Sequence, residues 1–409
     1  MTGYYQACNK DLFYHYAPGA DQCAGTTGRE MDFSRNNGTH IGGATGLNGT
    51  YSSRAFSSAA VRIIEEHDPA KGPLYLYVAP QNVHLGCGKE RNQGIQAPCQ
   101  SVDLYPRVAN DTFKVQSAVT TELDYVVGNV TEAMKKKGLW SNTVVTFASD
   151  NGGPLDHTTN WPLRGGKHTF WDGGVRVVAF VSGGLLPESR RGTVWTGMAH
   201  SSDWYSTLFE GVAGGTLPDG PNATGPMPPD SFNLWEAIHE GTASPRTEVI
   251  HEVANSFYNE GCEAIQRGDM KLIVGNPGDN RILAWPEPAA HAVPFGETSG
   301  VKEAGTDHCR SAPTHAPRGP NKECPQSNPC LFNVTADENE THNLAKDPQY
   351  KKLVKELKQR LAEVGAKAPP RDQYWPEEQL KQQKTQICAA MAKTGFLEPV
   401  SHSRASGGE

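Results

Sequence analysis

The chain has 409 residues, with 38 Lys and Arg against 45 Asp and Glu and a formal charge of −7. That length supports a sizeable core and up to two domains, and the acidic balance argues against a polyanion binder such as a nucleic-acid protein. No apolar run is long enough to span a bilayer, and Met1 does not open a charged-then-apolar signal pattern. Residues 1–58 are rich in Gly, Asn, Thr and Tyr and read as surface loops of a larger body. Leu74-Tyr-Leu-Tyr-Val78 is a continuous apolar run stopped by Pro80, which predicts a strand buried on both faces of a parallel sheet. His84 then lies just past that strand's C-terminal end. From Thr112 to Lys137, Val115, Val119, Leu123, Val126, Val130 and Met134 recur at helical spacing, with lysines in the last turn and Gly138 as the stop. A second strand from Thr143 completes a strand, helix, strand unit ending at Asp150. Val175 to Val181 predicts a third strand, and Ser202 or Asp203 is placed to cap a helix through Leu208.

After about Ser244 the texture changes. Glu248–Val253 and Met270–Val274 predict short strands of a small antiparallel sheet. The Pro, Gly and His-rich stretch at about 285–330 reads as a long insertion, pinned by Cys309, Cys324 or Cys330. Asp347-Pro348 opens a helix with Tyr350, Leu353, Leu357, Leu361 and Val364 on one face, closed by Gly365 and packed on the small sheet. The expected organisation is therefore a larger unit at 1–244, a smaller α+β unit at 245–397 and a disordered tail at 398–409. Seven Asn-x-Ser/Thr sequons, at Asn37, Asn48, Asn110, Asn129, Asn222, Asn333 and Asn339, point to the secretory pathway. Nine cysteines without metal-type spacing favour disulfides, with Cys8–Cys23 and Cys87–Cys99 as local pairings and at least one thiol left over.

The candidate chemistry begins where the strand from Thr143 runs into Asp150-Asn151-Gly-Gly, followed by Trp161-Pro-Leu-Arg164-Gly-Gly-Lys167. Adjacent oxygen donors at a strand's C-terminal end suit a hard divalent cation, and a lysine nearby suits an anionic group held beside it. Each element also has a plain structural reading. Asp-Asn-Gly after a strand makes a turn, and Lys167 could be a solvated surface lysine. His84 could be an ordinary loop histidine. Arg164 is equally suited to holding an oxyanion or to anchoring carboxylates, while Asp172 with Arg176 reads as a structural ion pair, and His200 with Asp203 as helix-start chemistry.

Phe147-Ala-Ser-Asp-Asn-Gly-Gly, Trp161-Pro-Leu-Arg-Gly-Gly-Lys, Trp171-Asp-Gly-Gly-Val-Arg176 and His200-Ser-Ser-Asp-Trp204 resemble, in order and spacing, the formylglycine-dependent sulfatases, and among them the arylsulfatase B branch. The resemblance runs from about Tyr4 to Val364, strongest in the middle third and poorest from Trp285 to Cys330. It implies an alkaline-phosphatase-like mixed α/β sheet flanked by helices, with a smaller C-terminal α+β domain. It further implies that Asp150 and Asn151 are two of four protein ligands to a calcium ion, that Lys167 contacts the sulfate and that His84 stands at the leaving-group side. In such enzymes a formylglycine, made from the cysteine of a Cys-x-Pro-Ser-Arg segment, attacks sulfur. None of the nine cysteines stands in such a segment, and the family's Asp-Asp pair is absent.

The expected function is thus sulfuric ester hydrolysis on a sulfated sugar or aryl sulfate by formylglycine and calcium chemistry, in an extracellular or lysosomal setting. The chain as it stands is expected to lack the front of such an enzyme and to be inactive, with poor solubility from exposed sheet edges. The alternatives are a secreted, non-catalytic pseudo-sulfatase that grips sulfated glycans or a partner, and a phosphoryl-transfer relative. The extra histidine ligands of that last class are not seen.

Overall fold

The computed structural model describes residues 45–85, 94–217, 230–253, 262–296, 300–303, 305–311 and 323–368, with short strands before residue 44 and isolated positions at 385–393. β1 (Thr2–Gly3), β2 (Ser34–Asn36) and β3 (Ile41–Gly43) pair antiparallel in that order. α1 (Ser52–Glu66) follows, so the loop reading of residues 1–58 fails from Ser52 onward. Its buried stripe of Phe56, Ala60 and Ile64 has helical spacing, but the surrounding small residues make a weak apolar signal.

β4 (Gln96–Pro98) and α2 (Cys99–Val102) lead to α3 (Asp111–Lys136), the helix expected from the apolar repeat. Asn110 caps it by accepting from the Thr112 and Phe113 amides at 3.0 and 3.2 Å, and Gly138 leaves it at φ 77°. Val115, Ala118 and Val119 are buried against Ile95, Ala97 and Cys309, while α1 packs along another face. Between the helices, the buried Glu122 accepts from Arg54 Nε and Nη2 at 3.0 and 2.7 Å.

The run at Leu74–Val78 is not a strand: Tyr75 and Tyr77 are 75% and 79% exposed. Among the described residues no strand pairs with it. An apolar run shows only competence to be buried, and burial needs a neighbour to bond the backbone and a layer to cover the side chains. The expected strand, helix, strand unit is therefore replaced by a hairpin-like pair. β5 (Val145–Ala148), the one-turn α4 (Asp172–Val175) and β6 (Ala179–Ser182) follow in order, with β5 and β6 antiparallel from Val145↔Ser182 to Ala148↔Ala179. Phe147 and Phe180 stack across the pair at 4.9 Å. α5 (Asp203–Ser206) runs into a π-helical turn at Thr207–Val212, and α6 (Trp235–Glu240) follows.

β7 (Glu248–Glu252), β8 (Glu263–Arg267), β9 (Met270–Val274), β10 (Val301–Lys302), β11 (His308–Arg310), β12 (Cys330–Asn333) and α7 (Lys351–Gly365) complete the order. One antiparallel sheet runs β12-β9-β8-β7, and α7 buries Leu357 and Leu361 on Ile265, Leu272, Val274 and Leu331, as its repeat predicts. The stretch at 285–330 is pinned at Cys309, Cys324 and Cys330 as expected, and within it β10 and β11 join β4 in a sheet that returns to the front of the chain. There Cys309 is bonded to Cys99 across 210 residues, which overturns the Cys87–Cys99 pairing. Register places Cys309 opposite Ala97, and no local spacing rule could foresee so distant a partner. Cys324 pairs with Cys330, and the buried Cys262 is a free thiol that burial pushes up to about 12. Cys8, Cys23, Cys87 and the expected tail at 398–409 lie outside the described residues. Among the described residues no helix is long and apolar enough to cross a membrane.

Candidate active site

β5 delivers Asp150 and Asn151 to the wall of an open cavity of about 2200 Å³, and Lys167 lines the same cavity. The glycine pairs in the motifs explain how the two segments meet. Gly152 N–H donates to Gly174 O at 2.9 Å and Lys167 N–H to Gly153 O at 3.1 Å. A Cβ on Gly152 would collide with the Gly173 carbonyl, and one on Gly166 with that of Gly153. The Asp-Asn-Gly-Gly turn and the Arg-Gly-Gly-Lys loop thus touch backbone to backbone, at a distance only glycine allows.

Asp150 is exposed and Asn151 half-buried. Asn151 N–H donates to Asp150 Oδ1 at 2.9 Å, and Asn151 Nδ2 donates to Gly152 O at 2.9 Å. With Nδ2 engaged by Gly152 O, Asn151 Oδ1 is the atom that side chain offers to a cation. These two donors fit one wall of a hard cation site, but calcium takes six to eight oxygens. Among the described residues no group of three or more acidic, histidine or cysteine side chains completes such a site.

Lys167 Nζ lies 3.2 Å from His84 Nε2, so two residues read separately in the sequence stand together. His84 Nδ1 is 2.8 Å from Leu85 O. A carbonyl only accepts, which puts the neutral imidazole's proton on Nδ1 and its lone pair on Nε2, facing the lysine. An ammonium donates to that lone pair.

Arg164, expected as a sulfate-binding candidate, has its guanidinium taken up elsewhere. Nη2 meets both Glu323 oxygens at 2.9 and 2.7 Å, Nη1 donates to Glu340 O at 2.9 Å, and Nε donates to Asn280 O at 3.1 Å. Its plane lies 4.0 Å over Trp171, itself buried against Phe332. It does not line the cavity. The anchoring reading is the one the geometry supports.

The expected Asp172–Arg176 pair forms at 2.6 Å, within a larger buried network. Lys271, 0% exposed on β9, sits between Asp172 Oδ1 at 2.7 Å and Glu340 Oε1 at 2.8 Å, while Glu340 Oε2 accepts from Asp172 N–H at 2.6 Å. Burial pushes the Asp172 carboxyl up, yet Lys271 and Arg176 outweigh it and hold the group below its ordinary range. Glu340 goes the other way, because burial and the Asp172 charge exceed the pull of Lys271. Burial, then Lys271, drives the neighbouring His251 down to about 3, so it is neutral. Sequence reasoning missed Lys271, Glu340 and Glu323. The one signal available was a lysine inside the apolar run Met270-Lys-Leu-Ile-Val274. His200 and Asp203 stand at a helix start as expected, Asp203 accepting from His200 N–H at 2.8 Å, but Ser202 makes no side-chain cap of α5, the α-helix ends at Ser206 short of Leu208, and Asp203 is instead paired with the buried Arg246 at 2.7 Å.

Residues 3–212 match the sequence model of the family described as Sulfatase. Mouse (Mus musculus) arylsulfatase J is 32% identical over 346 residues, covering 80% of this chain and 51% of that protein. Human (Homo sapiens) arylsulfatase A is 26% identical over 232 residues, 54% of this chain and 39% of that protein. The chain therefore spans about half the length, or less, of the curated relatives it matches. Among solved structures, Ps i-CgsB in complex with k-i-k-neocarrahexaose superposes with a TM-score of 0.55 at 20% identity, over 80% of this chain and 57% of that one. The PsFucS1 sulfatase from Pseudoalteromonas sp. gives 0.54 at 19% identity, over 82% and 58%. These likenesses show the fold, a mixed α/β arrangement of the sulfatase type, as expected from the sequence.

Proposed function

Since this chain belongs to the sulfatase family, we propose that its cavity receives a sulfuric ester of a sugar or aryl alcohol, with the sulfate against Lys167 and His84 and beside Asp150 and Asn151. The observation that carries this reading is the 3.2 Å approach of His84 Nε2 to the Nζ of Lys167, which lines the same cavity as the acid-amide pair, while His84 itself stands behind Lys167 and not in the lining. Asp150 and Asn151 would hold one side of a calcium ion, which in such a site serves as a Lewis acid toward a sulfate oxygen. The ammonium of Lys167 turns from His84 toward the sulfate and the bridging oxygen, where charge builds as the S–O bond breaks. His84 keeps its Nδ1 proton on Leu85 O, so Nε2 is the atom that would take a proton from water and give it to the departing oxygen, which leaves as the alcohol. Arg164 acts through the loop it anchors.

The chain's own residues thus account for binding sulfate and handling the leaving oxygen. The second reading is a secreted sulfate-ester binder without turnover, which needs only Lys167 and the acid-amide donors of the same cavity. Arylsulfatase B-like choice of a sulfated sugar, and an extracellular or lysosomal setting, belong to the same proposal and rest on motif order, sequons and disulfides.

Titration calorimetry with inorganic sulfate tests the site. Lys167→Ala is expected to weaken sulfate at least tenfold, and Lys352→Ala, on the exposed surface of α7, to leave it unchanged; equal affinity in Lys167→Ala overturns the assignment. Sulfate release from an aryl sulfate by the chain would exclude the reading without turnover.

A further inference from the structure

Two turns far apart in sequence line the cavity beside Lys167. In the first the Thr158 amide donates to Pro154 O at 3.2 Å, and in the second the Gly278 amide donates to Asn276 Oδ1 at 3.1 Å. The second turn is seated on the lysine loop. Arg281 O takes the Gly165 amide at 3.0 Å, and a Cβ on Gly278, which stands at φ 95°, would meet Thr169 and the His168 carbonyl. Asp156, Asp279 and Arg281 line the same cavity as Lys167. Asp279 fixes the guanidinium, both of its oxygens accepting from Nε at 3.0 Å and Oδ2 from Nη2 at 2.7 Å. Asp156 Oδ1 stands 3.5 Å from the same Nη2. Among the described residues neither Asp156 oxygen accepts a hydrogen bond within the chain, and Arg281 Nη1 donates none.

A structural ion pair needs only Asp279, which already satisfies the guanidinium. Asp156 is a second carboxylate, 18% exposed, brought to the same cation without a hydrogen bond of its own. Withdrawing a carboxylate from water without giving it a donor is costly, and a ligand hydroxyl repairs the loss. The site therefore offers a free acceptor, Asp156, beside a free donor, Arg281 Nη1. Each hydroxyl of a vicinal diol both donates and accepts, so the diol complements that pair. Resting on the sulfate site proposed above, we propose that Asp156 and Arg281 form the subsite for two neighbouring hydroxyls of the sugar that bears the sulfate. Two carboxylates against one guanidinium leave this rim with a negative charge, which opposes a second anion there. None of the three side chains offers an aromatic face to an aryl ring. The cavity is thus built for a sulfated sugar unit with free hydroxyls, over an aryl sulfate, and Asp156 and Arg281 set that choice while Lys167 holds the sulfate.

Titration calorimetry on the full chain tests this with inorganic sulfate, the monosulfated galactoses and cyclohexylmethyl sulfate, which keeps a ring and a sulfate ester and lacks the hydroxyls. The best galactose sulfate is expected to bind about tenfold tighter than inorganic sulfate, the worth of one hydrogen bond to a charged group, and cyclohexylmethyl sulfate to gain less than about threefold. Asp156→Ala should bring the ratio of galactose sulfate to sulfate affinity close to one. Asp156→Asn keeps one acceptor and drops the charge, so it should retain part of the preference and tighten a disulfated galactose by about threefold. An unchanged ratio in Asp156→Ala overturns the subsite, since a merely structural Asp156 would weaken sulfate and sugar sulfate alike. So does cyclohexylmethyl sulfate binding as tightly as the best galactose sulfate. A native chain that binds sulfate without preferring any galactose sulfate refutes the subsite alone, whereas one that binds no sulfate refutes the sulfate site and the subsite with it.

Discussion

Lys271→Met removes a buried cation from between two buried carboxylates while keeping a side chain of similar length. Lys271 Nζ sits 2.7 Å from Asp172 Oδ1 and 2.8 Å from Glu340 Oε1, with all three side chains at most 2% exposed, so water cannot replace the lysine. Breaking a buried pair from one side costs roughly 3–5 kcal/mol, because the remaining charge is left without compensation. The assay is urea unfolding followed by tryptophan fluorescence, since Trp171 adjoins Asp172 and is fully buried. The pH dependence carries a sign. In the native chain Lys271 and Arg176 overcome burial to hold Asp172 low, so its contribution is present at neutral pH and lost as pH falls through that lowered value. Without Lys271, burial raises the carboxyls, and the folded variant gains stability as they protonate. The deficit of Lys271→Met should therefore be greatest near pH 7 and narrow toward pH 5. The triple variant Asp172→Asn, Lys271→Met, Glu340→Gln should recover most of the loss, because no buried charge remains from the triad. A deficit below about 1 kcal/mol at pH 7, the range of exposed pairs, or one that widens on acidification, would refute the argument.

Gly152→Ala should destabilise by about 1–3 kcal/mol, because its methyl meets the Gly173 carbonyl and must force the two turns apart; the unfolding midpoint checks it, with Gly128→Ala, whose Cβ position is open, as the control. Cys99→Ser with Cys309→Ser opens a cross-link spanning 210 residues, and a loss of roughly 5 kcal/mol is expected from chain entropy, read by non-reducing denaturation. Val178 and Tyr77 are 72% and 79% exposed. Val178→Lys with Tyr77→Lys is expected to raise the concentration of half-association about tenfold, or ~1.4 kcal/mol, in sedimentation velocity, whereas an already monomeric native chain would refute the expectation.

Elements that make their own case locally were legible. α3 is written in its valine repeat and Gly138, α7 in its leucines and Asp347, and β5 in the apolar run before Asp150. The acid-amide pair and Lys167 were readable because motif order survives in one dimension. What needed three dimensions was not. Leu74–Val78 has the composition of a buried strand, but burial depends on a neighbour its own letters do not specify. Cys99 found its partner through the β4–β11 register, and Arg164 was decided by Glu323 and Glu340, which are 159 and 176 residues away. Lys271 looked like a strand lysine. Only the meeting of β9 with the Trp171 loop made it the counter-charge of Asp172.

That meeting bears on how the chain can be cut. Lys167 belongs to the stretch before residue 244, but the floor of its loop is supplied by Lys271, Phe332 and Glu340, with Pro277 O and Arg281 O accepting from the Phe170 and Gly165 amides at 2.9 and 3.0 Å. A fragment ended at the change of texture near Ser244 would keep every residue of the candidate site and lose the surface that shapes it. For expression or crystallisation, the smallest piece that retains the site's geometry must run at least through Glu340.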